Sequence, residues 1–390
     1  MNFDRIKQLF RTSRFILIVW IVLAIFSATK QNAKGKYNNY KIYKHAFYHT
    51  ISAENLYAEY PELYNDSNYY GPVFSIFIAP FALLPDWLGL SCWNIANALL
   101  LFYAIRSLPL LDDQKVLVAW LVTNELYTCF VNFQFNPAIS ATLILSYTFI
   151  KKEKDFWAAF VIVAGTFIKL YSIVGLAFFF FSKHKMRLIA AGIIWSFVFF
   201  LLPMLFAESN FIVQSYIDWF NSIINKNVLN ASLETPQDIS IMGIVRRFTG
   251  DPEISTLVFL IPGLIIFFIP YKNFKYFNEQ KFQHLLLCSV MLFVVIFSSS
   301  SESSTYIIAF TGAAIWFSLH TPPYDKIVLW LMIFAFVLTT LSPTVFPQFI
   351  WNDYMVKYSL KALPCVLIWL YVSYELITFS CYKRVAKSQP

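Results

Sequence analysis

The chain has 390 residues, of which 58% are hydrophobic and only 13% charged, and its mean hydropathy is +0.58. A soluble fold of this length could not bury so much apolar surface, whereas a helix that spans a bilayer needs about 20 apolar residues. The composition excludes an ordinary soluble protein and predicts an all-α polytopic membrane protein with a single integral membrane domain over residues 1–390. The net charge of +8 reflects basic loops at one membrane face and does not indicate a nucleic-acid partner.

Apolar runs along the chain predict about 10 to 13 transmembrane or re-entrant helices. The first run is not a removable signal peptide, because no small-residue cleavage pattern and soluble domain follow it. The run 156–182 must enter and leave the membrane at one side, so we expect a hairpin of two short helices that breaks near Lys169. The segment 71–87 is expected to be interfacial or re-entrant. The runs are 15–29, 88–107, 115–131, 137–150, 156–182, 187–206, 254–272, 282–299, 304–320, 325–346 and 357–378.

Basic residues orient these helices, because cytoplasmic loops carry an excess of lysine and arginine. Placing the basic clusters inside puts both termini in the cytoplasm and leaves two long extracytoplasmic segments, about 30–70 and 207–252. We therefore expect a multi-pass protein of the plasma (inner) membrane. The clusters are Arg5, Lys7, Arg11 and Arg14; Lys151, Lys152 and Lys154; Lys183, Lys185 and Arg187; Lys272, Lys275 and Lys281; and Lys383, Arg384 and Lys387.

Several kinds of site have no signature in this chain. There is no Gly-rich phosphate loop and no nucleophile elbow, and the five histidines show no spacing typical of a zinc site. Four cysteines lie inside apolar runs and Cys381 lies in the basic tail, so no disulfide framework is predicted. The sequence predicts no metal and no cofactor.

Polar side chains recur at the predicted outer face, where they are costly unless they line a cavity. Each has an alternative interpretation: an interfacial aromatic belt for the tyrosines, a solvated loop for the carboxylates, and snorkelling or an interfacial helix start for the cations. We expect the amides, aromatics and Glu302 to converge in one pocket. The candidates are Asn39, Tyr43, Glu62, Asp66 and Tyr70 in the first external segment; Gln134 and Asn136 in VNFQFNP; Lys169; Gln237, Arg246 and Arg247 in the second external segment; and Glu302 in SSSSESSTY.

The order of these motifs resembles a known family. A short basic N-terminus, one helix and an aromatic external segment are followed by YYGPVFSIFIAPFALLP, CWNIANALL and GTFIKLYSIVGLAFFFFSKHK. Over about residues 5–320 the chain is similar to the integral-membrane glycosyltransferases related to the bacterial α-1,2-mannosyltransferases. That resemblance maps the family's aromatic-Tyr-Pro-Pro stretch onto 69–72, its Gly-Gln-x-Asn turn onto 133–136, its hairpin lysine onto Lys169 and its Gln-x-x-Ser stretch onto 237–240.

One position departs from the family pattern. These enzymes carry an Asp just after the first helix, in an Asp-aromatic-x-x-Tyr pattern, and it acts as the catalytic base. The matching position here is Asn39, in Asn39-Tyr40-Lys41-Ile42-Tyr43. An amide cannot accept the proton of an acceptor hydroxyl, because it has no accessible conjugate acid near neutral pH. Glu302 is therefore the first candidate for the base, with Asp66 and Glu62 next.

The resemblance implies an inverting, metal-independent hexosyltransferase that moves a mannose-like sugar from a polyprenyl-phosphate donor to a lipid or glycan acceptor at the extracytoplasmic face. Lys169, Arg246 and Arg247 are the cations that could offset charge on the departing phosphate. Asn39, Gln134, Asn136 and Gln237 would bind sugar hydroxyls, and aromatic rings such as Tyr43 and Tyr70 would stack on the sugar. Membrane lipids are the remaining expected partners.

Two other classes stay open at this point. A secondary transporter or lipid flippase would also place polar residues among its helices, although matched inverted halves are not evident in this sequence. A non-catalytic relative of the transferase fold is the third interpretation, and the replacement at Asn39 favours it.

Overall fold

A computed structural model describes residues 8, 10–233, 235 and 237–379, and every regular element within them is helical, as the composition predicted. The basic residues Arg5, Lys7, Lys383, Arg384 and Lys387, together with Cys381, lie outside the described residues. The α-helices of eight or more residues are α1 (Ser13–Ala33), α2 (Asn38–Ile51), α3 (Phe74–Ala82), α4 (Asp86–Ser107), α5 (Asp112–Val131), α6 (Asn136–Lys151), α7 (Asp155–Ile168), α8 (Lys185–Leu201), α9 (Ser209–Asn230), α10 (Ile241–Thr249), α11 (Leu257–Phe268), α12 (Gln280–Ile296), α13 (Tyr306–Ser318), α14 (Lys326–Ala335) and α15 (Leu363–Ile377).

Six helical spans among the described residues are long and apolar enough to cross a bilayer. Only 17% of the apolar window in Leu257–Tyr276 and 22% of that in Lys185–Leu205 is buried by protein. Their exposed leucine, isoleucine and phenylalanine side chains have lipid as their natural solvent. The chain is therefore a multi-pass membrane protein. The six spans are Ser13–Ala33, Asp86–Ser107, Lys185–Leu205, Leu257–Tyr276, Lys326–Val345 and Leu360–Ile377.

The run 156–182 forms two helical arms that break at Lys169, as expected from the basic clusters at both of its ends. Helix α7 ends at Ile168, Lys169 is extended (φ −149°, ψ 120°), and a 3₁₀ helix continues over Leu170–Phe181. The two arms are antiparallel and close: a Cβ on Gly165 would lie 2.2 Å from the Ser172 hydroxyl, and one on Gly175 would lie 3.0 Å from Ile162. Small residues at these positions permit the contact that places Lys169 at the break.

The segment 71–87 was expected to be interfacial or re-entrant, and its helix is short. Helix α3 has nine residues, so it extends over only about 14 Å and cannot span a bilayer. The two segments predicted to be external both contain helices, α2 in the first and α9 and α10 in the second.

The chain divides into two compact units. The first comprises Met1–Ala119 and Leu126–Lys226. Its core at the end that carries α2 is built from aromatic rings, which explains the tyrosine density of the first external segment. Tyr40 is fully buried and its hydroxyl donates to the Phe81 carbonyl at 2.8 Å. Tyr43 and Phe74 pack with their rings edge to face.

The second unit comprises Trp120–Glu125 and Asn227–Pro390. Its centre is formed by α12 and α13, which are apolar on every side and buried throughout residues 282–296 and 306–318. The Trp369 indole of α15 donates to Ser289 of α12 at 3.1 Å, and the Tyr306 hydroxyl donates to the Ile239 carbonyl at 2.8 Å. This buried core supports the segment that carries Glu302.

Candidate functional site

Lys169 lies at the centre of the polar cluster in the first unit. Its ammonium donates to Asn136 Oδ1 at 2.8 Å and lies 5.8 Å from the centre of the Tyr70 ring and 4.9 Å from that of Tyr171. Asn136 is fully buried at the start of α6, and its amide nitrogen lies 3.5 Å from Gln134 Oε1. A hairpin lysine, two side-chain amides and tyrosine rings therefore meet in the first unit.

The turn that carries Gln134, between α5 and α6, is held by two side chains of α4. Trp93 Nε1 donates to the Phe133 carbonyl at 2.8 Å, and Asn94 Nδ2 donates to the Phe130 carbonyl at 3.1 Å. The backbone of Phe133 is in the left-handed region, with φ at 51°. These bonds to peptide carbonyls explain the Trp-Asn pair of CWNIANALL, because they fix the irregular turn between α5 and α6.

Tyr43 and Tyr70 form the wall beside Lys169. Their hydroxyls are 3.0 Å apart, and Tyr70 stacks on Phe74 with ring centres 4.5 Å apart. Tyr43 is only 3% exposed and Tyr70 8%. Tyr43 therefore orients Tyr70 from within the aromatic core, and it is not part of a surface belt.

Gly71 brings this wall onto the hairpin. Its N–H donates to the Ile168 carbonyl at 3.0 Å, and a Cβ on it would lie 2.0 Å from the Phe167 carbonyl oxygen. Only glycine permits this approach of two backbones. The Tyr-Tyr-Gly-Pro stretch is thereby locked to the residues that immediately precede Lys169.

Asn39 has a specific structural partner. Its side-chain amide donates to the Asn132 carbonyl at 2.9 Å, on the turn that carries Gln134. A carboxylate at this position would have no hydrogen to donate and would face a carbonyl oxygen. Asn39 thus acts as a backbone anchor in this chain.

The two carboxylates predicted in the first external segment differ in their surroundings. Glu62 is exposed. Asp66 Oδ1 accepts from the Ser67 N–H at 2.8 Å and from the Tyr69 hydroxyl at 3.0 Å, and its Oδ2 lies 3.6 Å from Lys226 Nζ. Burial raises the pKa of Tyr69, and the neighbouring Asp66 carboxylate raises this pKa further. The phenol therefore stays protonated and donates to Asp66. Both oxygens of Asp66 are engaged by protein groups.

Glu302, in the second unit, begins a short 3₁₀ turn that leads into α13. Its Oε1 accepts from the Ser304 hydroxyl at 2.8 Å, and its backbone N–H donates to the Thr305 hydroxyl at 3.2 Å. The side chain is half-buried, and the contacts described for it leave Oε2 open. One oxygen is therefore oriented while the other can accept a proton.

Sequence reasoning missed a buried ion pair beside this turn. Lys361 Nζ lies 2.9 Å and 3.2 Å from the two carboxylate oxygens of Glu125 and donates to Ser303 at 3.0 Å. Glu125 and Lys361 are 0% and 1% exposed. Each is an ionisable residue inside a predicted apolar run, at 115–131 and 357–378, and that signal alone could have found both.

The remaining predicted residues lie around Asp238. Arg246 is 4% exposed and donates to Asp238 Oδ2 at 2.7 Å, to the Ile254 carbonyl at 2.9 Å and 2.7 Å, and to Thr256 at 3.0 Å. Arg247 donates to the carbonyls of Thr235 and Gln237, each at 2.6 Å. Burial raises the pKa of Asp238, although Ser240 and Arg246 act in the opposite direction.

The two guanidinium groups therefore bind the backbone on either side of α10, at Thr235 and Gln237 before it and at Ile254 after it. The Gln237 side chain is half-buried in the loop before α10. No cluster of three or more histidine, cysteine, aspartate or glutamate side chains with the spacing of a metal site occurs within the described part of the chain. The single-pocket hypothesis for the complete set of outer-face residues stays a prediction.

The sequence of the chain was compared with protein families and with curated proteins. The sequence model of Glycosyltransferase family 87 matches residues 68–299, more than half of the chain. No curated protein matches the chain. The matched region begins just before the Tyr-Tyr-Gly-Pro stretch and includes the 133–136 turn, Lys169 and the Arg246–Asp238 pair. The chain belongs to Glycosyltransferase family 87.

Proposed function

We propose that this membrane glycosyltransferase moves a hexose, mannose-like, from a polyprenyl-phosphate donor to a lipid or glycan acceptor at the extracytoplasmic face of the plasma membrane. The family supplies the reaction class. The donor proposal depends on one observation: the hairpin break holds the Lys169 ammonium against Asn136 and the Tyr70 ring.

The depth of Lys169 fits a lipid-linked phosphate. Helix α7 has 14 residues and so rises roughly 21 Å from its start at Asp155. If residues 151–155 lie at the cytoplasmic surface, Lys169 lies in the outer part of a hydrocarbon core about 30 Å thick. The phosphate of a prenyl lipid in the outer leaflet would meet the ammonium there, with its chain in the bilayer.

The chemistry asks for a cation at the leaving group. When the sugar is transferred, negative charge returns to the prenyl phosphate, and a positioned ammonium stabilises that charge more in the transition state than in the ground state. Lys169 takes this role in the proposal, because the donors of Arg246 and Arg247 bind protein acceptors. Gln134, Asn136, Asn39 and Gln237 are proposed to bind sugar hydroxyls, with Tyr70 as the aromatic contact.

An inverting transfer also needs a base, and we place this role on Glu302. Its oriented carboxylate has an open oxygen, whereas both oxygens of Asp66 are engaged and Glu62 is exposed. Glu302 would remove the proton of the acceptor hydroxyl as that hydroxyl attacks the sugar carbon opposite the phosphate. No metal takes part in the proposed step.

A donor panel tests the transfer itself. Purified protein in lipid nanodiscs would be given polyprenyl-phosphate-linked mannose, polyprenyl-phosphate-linked glucose and the corresponding nucleotide sugars, with a total envelope lipid and glycan fraction as acceptor. We expect transfer from a polyprenyl-phosphate donor and none from a nucleotide sugar. Transfer from the nucleotide sugars alone would contradict the proposal.

The base is tested by Glu302→Gln. We expect a loss of about 10²–10⁴-fold in turnover with little change in donor affinity, because the amide keeps the shape and loses the basic oxygen. Glu59→Gln, an exposed carboxylate in the first external segment, is the matched control and should keep wild-type turnover. Loss of turnover in Asp66→Asn or Glu62→Gln, with Glu302→Gln unaffected, would move the base to the first external segment.

A non-catalytic relative is the second candidate, and the bond from Asn39 to the Asn132 carbonyl favours it. Donor binding without transfer to any acceptor fraction, in the same nanodisc assay, would select this candidate.

A further inference from the structure

A polar cavity opens beside Asn39, on the side of the 131–133 backbone. Its volume is about 380 Å³, and it lies wholly within the first unit. Ligand pockets in proteins measure roughly 300–1,000 Å³, so this cavity is large enough for a sugar residue and its substituents. Its polar lining residues are Lys36, Asn38, Asn39, Lys41, Asn65 and Asn132.

The walls of the cavity are fixed by bonds between its own lining residues. Asn38 Nδ2 donates to the Asn65 carbonyl at 2.6 Å, and the Asn65 N–H donates back to Asn38 Oδ1 at 2.9 Å. Asn39 holds the opposite wall through Asn132 at 2.9 Å. The cavity therefore exists before a ligand arrives, which reduces the entropy lost on binding.

The charge of the cavity has one sign. Two lysines line it and no aspartate or glutamate does. Neither Lys36 nor Lys41 forms an ion pair with a described residue, and Lys41 lies 5.3 Å from the centre of the Tyr37 ring. The Tyr37 hydroxyl points to Asp86, whose carboxylate lies 2.6 Å from Lys44 Nζ, so this neighbouring acid is already neutralised by a lysine.

We propose that this cavity binds the acceptor, and that the acceptor is an anionic glycan whose carboxylate or phosphate lies between Lys36 and Lys41. This inference rests on the proposed transferase function and adds the chemical class of the acceptor to it. The amides and peptide groups of the walls bind the hydroxyls of the same sugar, while the two ammonium groups select for its charge. A carboxylate at position 39 would bring negative charge into this cavity, and the amide found there avoids that repulsion.

Binding of defined sugars, without donor, tests the proposal. The probes are a disaccharide ending in glucuronic acid, one ending in glucose 6-phosphate and a neutral one ending in glucose. Titrations into the full-length protein in zwitterionic nanodiscs at low ionic strength would give three dissociation constants. We expect at least one anionic probe to bind about tenfold more tightly than the neutral probe, a preference that weakens as salt is added. Which anionic probe wins separates carboxylate from phosphate.

Matched variants assign the preference to the cavity. The double change Lys36→Gln and Lys41→Gln should remove the preference, so that the anionic probes bind no more tightly than the neutral probe. Lys34→Gln removes an exposed lysine outside the cavity lining and should retain the preference. Equal binding of all three probes to the wild-type protein, or a preference that survives the double change, would overturn the proposal.

The same protein separates this inference from the proposed function. Sugar transfer with no charge preference in acceptor binding would leave the transferase proposal standing and remove the anionic acceptor. A charge preference that depends on Lys36 and Lys41, in a protein that transfers no sugar from any donor, would remove the transferase proposal and retain the binding site.

Discussion

Two lysines in apolar surroundings, one in each unit, are held in opposite ways. Lys361 in the second unit gives its ammonium to both oxygens of Glu125 and to Ser303, and it is 1% exposed. Lys169 in the first unit is half-buried, and its described contacts are with the Asn136 amide and two tyrosine rings. A carboxylate pairs with the Lys361 ammonium, and the described contacts of the Lys169 ammonium include an amide oxygen and two ring faces.

The difference separates two uses of a buried charge. A lysine paired with a carboxylate in a dry core fixes the elements it joins, and Lys361 joins α5 to the turn that carries Glu302. Lys169 is half-buried at the hairpin break, beside an amide and two ring faces. Lys361 is therefore a structural cation, the donor-phosphate role of Lys169 stays a proposal, and three substitutions test that division.

The largest expected effect is on stability. Lys361→Met should lower the free energy of unfolding by about 3–5 kcal/mol, because it leaves the Glu125 carboxylate buried without its counter-charge. The measurement is an unfolding titration in mixed micelles. The double change Lys361→Met and Glu125→Gln should recover part of the loss, since the remaining group is neutral. A single variant as stable as the wild-type protein would contradict a structural role for the pair.

The second change, Lys169→Met, should act on catalysis. We expect turnover to fall by about 10²–10³-fold, the range seen when one group that stabilises transition-state charge is removed. The unfolding free energy should change less than in Lys361→Met, because Lys169 is half-buried whereas Lys361 is 1% exposed. Donor turnover and unfolding are measured on the same preparation.

Controls sharpen this second prediction. Lys183→Met removes a lysine whose ion pair with Glu153 is largely exposed, and such pairs contribute little. Its turnover should match that of the wild-type protein. Lys169→Arg keeps the charge with a different shape and should retain more turnover than Lys169→Met. Unaltered turnover in Lys169→Met, or a large loss of stability, would place Lys169 with Lys361 as a structural cation.

The smallest expected effect concerns Asn39, an uncharged residue of the first unit. Asn39→Asp replaces the donor to the Asn132 carbonyl with an acceptor, and we expect it to cost about 1–3 kcal/mol of stability and to give no gain in turnover. Asn39→Ala, which removes the bond without adding charge, is the control and should cost less. A rise in turnover with the aspartate would mean that position 39 can still supply a base and that the amide is a replaced catalytic residue.

Part of the candidate site could be predicted from the sequence. The hairpin break near Lys169 followed from an apolar run with basic clusters at both ends, and the structure confirms the break with antiparallel arms that meet at Gly165. The contacts among Gln134, Asn136 and Lys169 agree with the motifs that the sequence pointed to. What these residues bind stays a prediction.

Other features could not be predicted from residue type and spacing. From the sequence, Arg246 was a candidate phosphate ligand. In the structure, its guanidinium donates hydrogen bonds to Asp238, Ile254 and Thr256. Tyr43 read equally well as an interfacial ring or a sugar platform, and it is buried in an aromatic core. Glu125 and Lys361 are 236 positions apart along the chain, so their pairing depends on how helices far apart in sequence pack.

The sequence by itself determined the solvent and the class of fold. An apolar content of 58% requires a bilayer, and without water in its interior a bilayer leaves only structures that satisfy their own backbone groups, here helices. The tertiary structure decided which polar groups are already paired and which face a cavity. That distinction depends on distances of about 3 Å between side chains remote in sequence. A buried polar group that lacks such a hydrogen bond costs free energy. For this reason Asn39 could be read as a lost base from the sequence, while the structure shows it bonded to the Asn132 carbonyl.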